Sequence, residues 1–350
     1  MTLPSFKTRP VREPARTAIM RRYLPDTFTI LLVCTVIFAS FLPIYGRYAE
    51  AFNIATDIAI GLLFFLHGAR LSRDTVVAGA LHWRLHVTIL LTTFCIFPLL
   101  GLAIGFIPTS ILAAPLYTGI LFLCVLPSTV QSSIAFTSMA GGNVPAAIVS
   151  ASGSNIFGMF LTPLLTGLVL STTGSGGFSW SALQSILLQL MLPFVIGQLL
   201  QPWIGNWIRS RKKLLMPVDR GSILMVVYLA FSEAVMEGLW HTFSLADIAA
   251  VIVVDMLLLA TVLCITMFGS RLLGFSKEDE ITITFCGSKK SLASGVPMAN
   301  AIFGNASTSV GAIVLPLMLF HQIQLMACAV IAQKYASRLK EREAAEPVAA

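Results

Sequence analysis

The stretch FCGSKKSLASGVPMANAIFG at residues 285–304 contains two adjacent lysines, Lys289 and Lys290, within a largely apolar segment. It follows the residues ITIT and precedes another long apolar run. A charged side chain at the centre of a membrane helix costs about 2.5–3.5 kcal/mol on insertion scales. If this segment lies in a membrane, the two lysines therefore need partners or a function.

The composition is that of an integral membrane protein. The chain of 350 residues is 56% hydrophobic and 11% charged, whereas soluble domains carry about 25% charged residues. Ten apolar stretches are each long enough to cross ~30 Å of hydrocarbon as a helix, and they lack the alternation of barrel strands. The sequence therefore predicts an all-α, multi-pass protein in a lipid bilayer. The predicted spans are 27–45, 52–70, 83–107, 115–140, 144–171, 182–203, 219–238, 246–272, 280–303 and 308–336.

Basic residues predict the orientation of these spans. Lysine and arginine are concentrated before span one, between spans two and three, around 209–220 and 271–277, and after residue 333. Because cytoplasmic loops carry the excess of basic residues, both termini are predicted to be cytoplasmic, in a bacterial inner membrane. The formal net charge of +7 belongs to these loops and gives no reason to expect a nucleic-acid partner. A secretory signal peptide is the alternative interpretation of the basic start and first apolar stretch.

The two halves of the chain resemble each other at their ends. LPSTVQSSIAFTSMAGGNVPAAIV (126–149) is echoed by CGSKKSLASGVPMANAIFGNASTSVGAIV (286–314). We therefore predict two repeats of five spans, 27–171 and 172–337, between a basic N-terminal tail (1–26) and a C-terminal tail (338–350). Because five is odd, the second repeat enters the membrane from the opposite side, and inverted repeats of this kind are typical of secondary transporters.

Polar residues interrupt the fourth and ninth spans at corresponding positions of the two repeats. Pro127 removes a backbone donor and disfavours helix at the residue before it. Non-helical backbone at membrane depth survives only where it is buried in protein or faces a wet cavity, so the interruptions are candidates for a binding site. The candidate substrate- or ion-binding residues there are Gln131, Ser132, Ser133, Ser288, Lys289, Lys290 and Ser291.

The fifth span adds further candidates. Serine and glycine also let helices pack closely in membranes, and that alternative stays open for the serines. A carboxamide needs several hydrogen-bond partners, which favours a binding role for Asn155 and Gln131. The candidate residues of this span are Ser150, Ser152, Ser154 and Asn155.

Three roles are open for the two lysines. They pair with a carboxylate, hold an anionic substrate, or replace a bound metal cation and lose a proton during the transport cycle. Neighbouring residues on a helix point about 100° apart, so we place Lys290 inward and leave the direction of Lys289 open. The acidic candidates are Asp57, Glu233, Glu237 and Asp255, of which Glu233 lies deepest in its span.

The sequence contains no catalytic or metal-binding pattern. Its six cysteines are scattered through the spans and are interpreted as packing residues. We interpret His67 and His321 as interfacial or packing residues rather than proton relays. No HExxH, paired aspartates or nucleophile motif is present, so neither an enzyme nor a resident cofactor is indicated. A regulatory or scaffold protein without transport activity is the rival class.

The interrupted segments resemble the bile acid:sodium symporter family, in its YfeH-type branch that includes the member-seven proteins of vertebrate solute carrier family ten. The resemblance covers nearly the whole chain and is most specific in FFLHGARLS (64–72), TTFCIFPLLG (92–101), GGN before span five, and FCGSKKSLASGVP. It implies a panel domain of spans one, two, six and seven, and a core domain in which broken helices four and nine cross.

The same resemblance implies sodium as a coupling ion. Two positions depart from the family pattern, because its ninth-helix glutamate falls on Phe285 and the following glutamine on Lys289. Overall we predict a secondary-active transporter that couples a small organic anion to sodium or protons by alternating access, with substrate and oligomeric state left open. The implied sodium ligands are Ser132, Ser133 and Ser154, with Ser150, Ser152 and Thr93 at further matching positions.

Overall fold

A computed structural model describes residues 27–70, 82–172, 187–236, 243–304 and 309–345, which form helices and loops without a strand among them. The predicted tail 1–26 and Glu237 lie outside these residues. The helices are α1 (Thr27–Phe41), α2 (Arg47–Arg70), α3 (Trp83–Ile104), α4 (Ala114–Val125), α5 (Gln131–Met139), α6 (Val144–Thr172), α7 (Leu192–Ser210), α8 (Lys212–Met236), α9 (Leu245–Leu272), α10 (Lys277–Gly287), α11 (Leu292–Phe303) and α12 (Val310–Ala345).

The prediction of an all-helical protein is confirmed in the described residues. Six of these helices are long and apolar enough to cross a membrane: α2, α3, α6, α8, α9 and α12. Shorter apolar segments lie in α1 and α4. The count of ten spans and the inverted repeat stay predictions, and α12 continues as a helix to Ala345, beyond the predicted end of the last span at 336.

Two polar interruptions separate pairs of short helices where the sequence predicts them. We call residues 126–130, between α4 and α5, the first interruption, and residues 288–291, between α10 and α11, the second interruption. Leu126 is extended, with φ −73° and ψ 154°, because a residue before proline is disfavoured in a helix. Ser291 caps α11, where its side chain accepts a hydrogen bond from the Ser294 N–H.

The helix α3 contains a π-helical turn over Thr92–Ile96, which was not predicted from the sequence. The Phe97 N–H bonds to the Thr92 carbonyl five residues back. The next residue, Pro98, has no N–H to donate, so the Thr93 carbonyl lacks the donor that would continue the turn. Turns of this kind are frequent at functional sites.

The helices α2 and α7 approach each other closely at two glycines. A side-chain carbon added at Gly68 would lie 2.1 Å from the Phe194 carbonyl oxygen, and one added at Gly197 would lie 2.1 Å from the Phe65 carbonyl oxygen. Only glycine fits at such distances, and small residues are a common means of close helix packing in membranes. The main chains of α2 and α7 are therefore in direct contact.

We expect Gly197→Ala to lower the unfolding temperature of the purified protein in detergent by several degrees, because overpacking costs about 1–3 kcal/mol. The matched control is Gly221→Ala in α8, where an added carbon meets nothing within 4 Å. Thermal unfolding followed by tryptophan fluorescence compares the two variants. Equal unfolding temperatures would contradict the packing described.

Candidate functional site

The two interruptions are hydrogen-bonded to each other. Ser128 Oγ donates to the Cys286 carbonyl at 2.6 Å, and Ser133 Oγ donates to the Phe285 carbonyl at 3.0 Å. The Ser291 N–H donates to the proline carbonyl of the first interruption at 2.9 Å. Because the last carbonyls of a helix have no partner within it, one serine in the first interruption and one just after it complete the hydrogen bonding of α10, the helix before the second interruption.

The helix α6 supports this contact through two of the predicted residues. Ser154 Oγ accepts the Ser128 N–H at 3.0 Å, and Asn155 Nδ2 donates to the Ser128 carbonyl at 2.7 Å. Asn155 Oδ1 accepts the Ser294 hydroxyl of α11 at 2.7 Å. The carboxamide thus joins the first interruption to α11, as its need for several partners indicated.

Lys290 is fully buried, and its ammonium group donates to three backbone carbonyls. The Nζ atom lies 2.8 Å from the Thr93 oxygen, 2.7 Å from the Cys124 oxygen and 2.7 Å from the Leu126 oxygen. It also lies 4.1 Å from the centre of the Phe97 ring, within the range of a cation–π interaction. We call these three oxygens the carbonyl cage.

Local chain geometry makes these carbonyls available. The π-helical turn followed by proline leaves the Thr93 carbonyl without a helical donor. A regular helix would pair the Cys124 carbonyl with the Ser128 N–H, but that N–H donates to Ser154 Oγ. The extended Leu126 lies beyond the end of α4. The carbonyl cage therefore follows from the irregular backbone of α3 and of the first interruption.

Lys289 is also fully buried but contacts different groups. Its ammonium nitrogen lies 4.0 Å from the centre of the Phe136 ring and 5.4 Å from that of the Phe285 ring. Among the described residues it has no hydrogen-bond partner. The two lysines therefore contact separate groups, Lys290 the main chain and Lys289 aromatic rings.

Within the described residues, neither lysine pairs with a carboxylate, which was one of its three possible roles. The ion pairs seen within the described residues join other side chains, at Asp219 and Glu280. Among the acidic candidates, Glu233 is exposed on α8 and Asp57 is half-buried on α2. Asp255 is fully buried on α9, where neither carboxylate oxygen has a hydrogen-bond partner in the described part of the chain.

The serines matched to sodium ligands lie around the first interruption. Thr129 Oγ1 is 2.7 Å from Ser132 Oγ and 2.9 Å from Ser133 Oγ. Ser154 contacts the main chain of the same interruption through its bond to Ser128. Sodium binding by these hydroxyls stays a prediction.

Other predicted side chains bond elsewhere. Ser150 Oγ is 2.6 Å from His86 Nδ1, which the sequence did not single out. Thr93 Oγ1 donates to the Ile89 carbonyl of its own helix at 2.8 Å, and Ser288 Oγ donates to the Thr284 carbonyl of the preceding helix α10 at 2.6 Å. Only the main chain of Thr93 therefore enters the carbonyl cage. Of the remaining candidates, Gln131 and Glu233 are exposed and Ser152 is half-buried.

A cavity of about 20 Å³ lies between α2, α6 and α11. Asn155 and Ser294 line it on one side, and Phe64 and His67 of α2 line it on another. Its volume is enough for about one water molecule. His67, interpreted from the sequence as an interfacial or packing residue, is thus a wall residue whose Nδ1–H donates to the Leu63 carbonyl at 2.8 Å.

Gln324 of α12 holds the second interruption and was missed by the sequence reasoning. Its side chain is fully buried and bonds both main-chain groups of Lys290, accepting the N–H and donating to the carbonyl at 2.9 Å each. A buried carboxamide needs partners, but Gln324 is one of three glutamines in the apolar run 308–336, so no sequence signal singled it out. Gln324 fixes the position from which the Lys290 side chain reaches the carbonyl cage.

We expect Gln324→Met to lower the unfolding temperature, because it leaves two buried main-chain groups of Lys290 unpaired at similar side-chain volume. Each unpaired group costs about 1–3 kcal/mol. Thermal unfolding in detergent measures the effect, and Met326→Leu is the control, since Met326 on the same helix is 71% exposed. An unfolding temperature equal to that of the wild type would contradict this role.

Two contacting interruptions within a bundle of apolar helices are typical of secondary membrane transporters. The chain belongs to the SBF-like CPA transporter family, whose model matches residues 26–337. It is therefore a membrane transporter and not an enzyme, and the family resemblance predicted from the sequence is confirmed.

Individual relatives are similar in sequence to this chain over nearly their full lengths. The chain is 56% identical over 324 residues to a protein of Pseudomonas aeruginosa, covering 93% of this chain and 97% of the relative. It is 51% identical over 319 residues to YfeH of Escherichia coli, a candidate symporter, with 91% and 95% covered. It is 25% identical over 332 residues to sodium/bile acid cotransporter 7-B of Xenopus laevis, with 93% and 96% covered.

Proposed function

We propose that this protein is a secondary-active symporter that moves a small organic anion together with a cation, sodium or a proton, by alternating access. The names of its relatives, a candidate symporter and a sodium/bile acid cotransporter, support this class of activity. The observation that carries the proposal is the contact between the two interruptions beside the cavity of α2, α6 and α11.

The helix order supports the predicted architecture. If α4 with α5 and α10 with α11 each form one broken span, the helices α1 to α12 make ten spans. The first five then belong to the repeat 27–171 and the last five to the repeat 172–337, with both termini in the cytoplasm. In this arrangement α1, α2, α7 and α8 form the panel domain, and the core domain contains the two broken spans.

The chemistry of the cavity favours an anion. Asn155 and Ser294 contribute a carboxamide and a hydroxyl, and His67 contributes an imidazole, whereas none of the described residues that line the cavity carries a carboxylate. The helix α11 begins just before Ala293 and Ser294, and the N-terminus of a helix favours negative charge. A cavity of about 20 Å³ is too small for an organic anion, so α2 has to separate from α6 and α11 for the substrate to enter.

Proteoliposome uptake tests this proposal with a panel of radiolabelled mono- and dicarboxylates and sulfonates, under sodium gradients and proton gradients separately. We expect at least one anion to accumulate only when a gradient is present. If no anion accumulates under either gradient, the scaffold or regulatory alternative is favoured instead.

We expect Asn155→Asp to lower the uptake of that anion by about 10- to 100-fold. The substitution keeps the oxygen that accepts the Ser294 hydroxyl but adds a negative charge beside the anion, and a hydrogen bond to a charged group contributes about 1.5–3 kcal/mol. The matched control is Asn53→Asp at an exposed position of α2. Ser294→Ala is the companion variant with the smaller structural change, and undiminished uptake by both site variants would contradict the site.

A further inference from the structure

One face of α7 carries a row of exposed apolar side chains that ends in two tryptophans. The row consists of Leu188 just before the helix, and of Leu192, Ile196, Leu199, Trp203 and Trp207. The opposite face is buried and includes Gly197 and Gln201. From Leu188 to Trp207 the chain rises about 28 Å, close to the ~30 Å thickness of membrane hydrocarbon. Trp203 and Trp207 are 76% and 50% exposed, and because tryptophan is enriched at membrane–water interfaces, this end of α7 lies at the level of the lipid headgroups.

Four basic residues follow the second tryptophan, where α7 ends and α8 begins. Arg211 is exposed, and its guanidinium carbon lies 4.9 Å from the centre of the Trp207 ring, one helical turn earlier. This cation–π contact holds the charge beside the end of the apolar row. We call residues 207–213 the basic turn, and its basic residues are Arg209, Arg211, Lys212 and Lys213.

The charge of the basic turn is not neutralised within the described part of the chain. Residues 206–220 contain five basic residues and one acidic residue, Asp219. That carboxylate already pairs with Arg70 of α2, with an N–O distance of 2.5 Å. Arg209 and Arg211 form no ion pair with another described residue. Positive charge is therefore left over at this end of α7, on the side predicted to be cytoplasmic.

A comparable basic cluster, at the turn between α9 and α10, is neutralised internally. Arg271 and Lys277 both contact the Glu280 carboxylate, with N–O distances of 3.0 Å and 2.6 Å. The Tyr335 hydroxyl donates to the same carboxylate at 3.0 Å. The basic turn has no such acceptor among the described residues, which indicates that its anion comes from outside the chain.

We propose that the basic turn binds the phosphate group of an anionic phospholipid of the surrounding bilayer, and that an acyl chain of this lipid lies along the apolar row of α7. Arg211 is the residue assigned to the phosphate, because its exposed guanidinium is the group that binds phosphate oxygens in pairs. Basic clusters next to a membrane helix attract anionic lipids. This inference is independent of the proposed symport.

The continuity of the apolar row with the basic turn favours a lipid over a soluble anion. Trp203, Trp207 and Arg211 follow one another at intervals of four residues, so they lie on one side of the chain. A phospholipid joins an acyl chain to a phosphate in one molecule, and it therefore contacts the apolar row and the arginine together. A soluble phosphate contacts the charged end alone.

Arg209 connects this site to α2. Its Nη1 donates to the carbonyl of Arg70, the last residue of α2, at 3.4 Å, and its Nη2 donates to Asn206 Oδ1 at 2.6 Å. The Arg70 side chain in turn pairs with Asp219 of α8. A phospholipid at the basic turn thus binds where α2, α7 and α8 meet, and we expect it to stabilise the folded protein.

Thermal unfolding of the purified protein in detergent is the first test, with dioleoylphosphatidylglycerol compared with dioleoylphosphatidylcholine. We expect the anionic lipid to raise the unfolding temperature more, through mass action. For Arg211→Gln we expect about fivefold weaker apparent binding, the contribution of one basic residue near an anionic headgroup. The matched control is Arg47→Gln, because Arg47 is also exposed and also stacks on a ring, that of Tyr48 at 5.9 Å, but residues 41–66 contain no other lysine or arginine.

Three outcomes of the first test would overturn the inference. The two lipids could stabilise the wild type equally, or Arg211→Gln could bind the anionic lipid as well as Arg47→Gln does. Sodium phosphate, compared with sodium chloride at equal ionic strength, could stabilise the wild type as much as the anionic lipid, and the site would then bind a soluble anion.

Fluorescence quenching by lipids with brominated acyl chains locates the bound lipid. Trp83, Trp180 and Trp240 are replaced by Phe, which leaves Trp203 and Trp207 as the reporters. In mixed vesicles we expect brominated phosphatidylglycerol to quench them more than the same mole fraction of brominated phosphatidylcholine, and Arg211→Gln to reduce this difference. Equal quenching by the two lipids would reject the site, and if the reporter protein does not fold, the titration in detergent decides. Neither measurement needs a transported substrate, so failure of the proposed function would leave this site to be judged separately.

Discussion

Backbone carbonyls within a membrane must find hydrogen-bond donors inside the protein, because the hydrocarbon supplies none. Two interrupted helices create several such carbonyls in one place, and the polar side chains of the site are largely the donors that they require. The Val125 carbonyl receives the Thr162 hydroxyl at 2.9 Å, the last carbonyls of α10 receive Ser128 and Ser133, and Lys290 serves three more. The polar side chains of the site therefore first satisfy the hydrogen bonding of the main chain. The proposed binding of an anion depends on the backbone geometry that these bonds hold.

The interruptions themselves could be predicted because their causes are local. Pro127 disfavours helix at the residue before it, and a run of serines offers side-chain partners to a free main chain. The involvement of Ser154 and Asn155 could also be predicted, because polar side chains in an apolar span need hydrogen-bond partners. That the two interruptions bond to each other follows from the same requirement.

The directions of the lysines could not be read from the sequence, because tertiary contacts decide them. Adjacent residues diverge by about 100° on a helix, which leaves several arrangements open. In the structure Lys290 enters the carbonyl cage, and Lys289 lies against Phe136 and Phe285. Phe285 is the position that the resemblance matches to a family glutamate, and its ring lies 5.4 Å from the Lys289 ammonium nitrogen. The π-helical turn that frees the Thr93 carbonyl likewise has no signal beyond a proline in an apolar run.

The backbone contact at Gly68 and Gly197 has a mechanical consequence. Helices whose main chains touch cannot slide along each other without first separating, since neighbouring side chains would collide. α2 carries His67 in the wall of the cavity opposite Asn155 and Ser294. In the proposed transport cycle, withdrawal of that wall would therefore move α7 together with α2 as one rigid pair of helices.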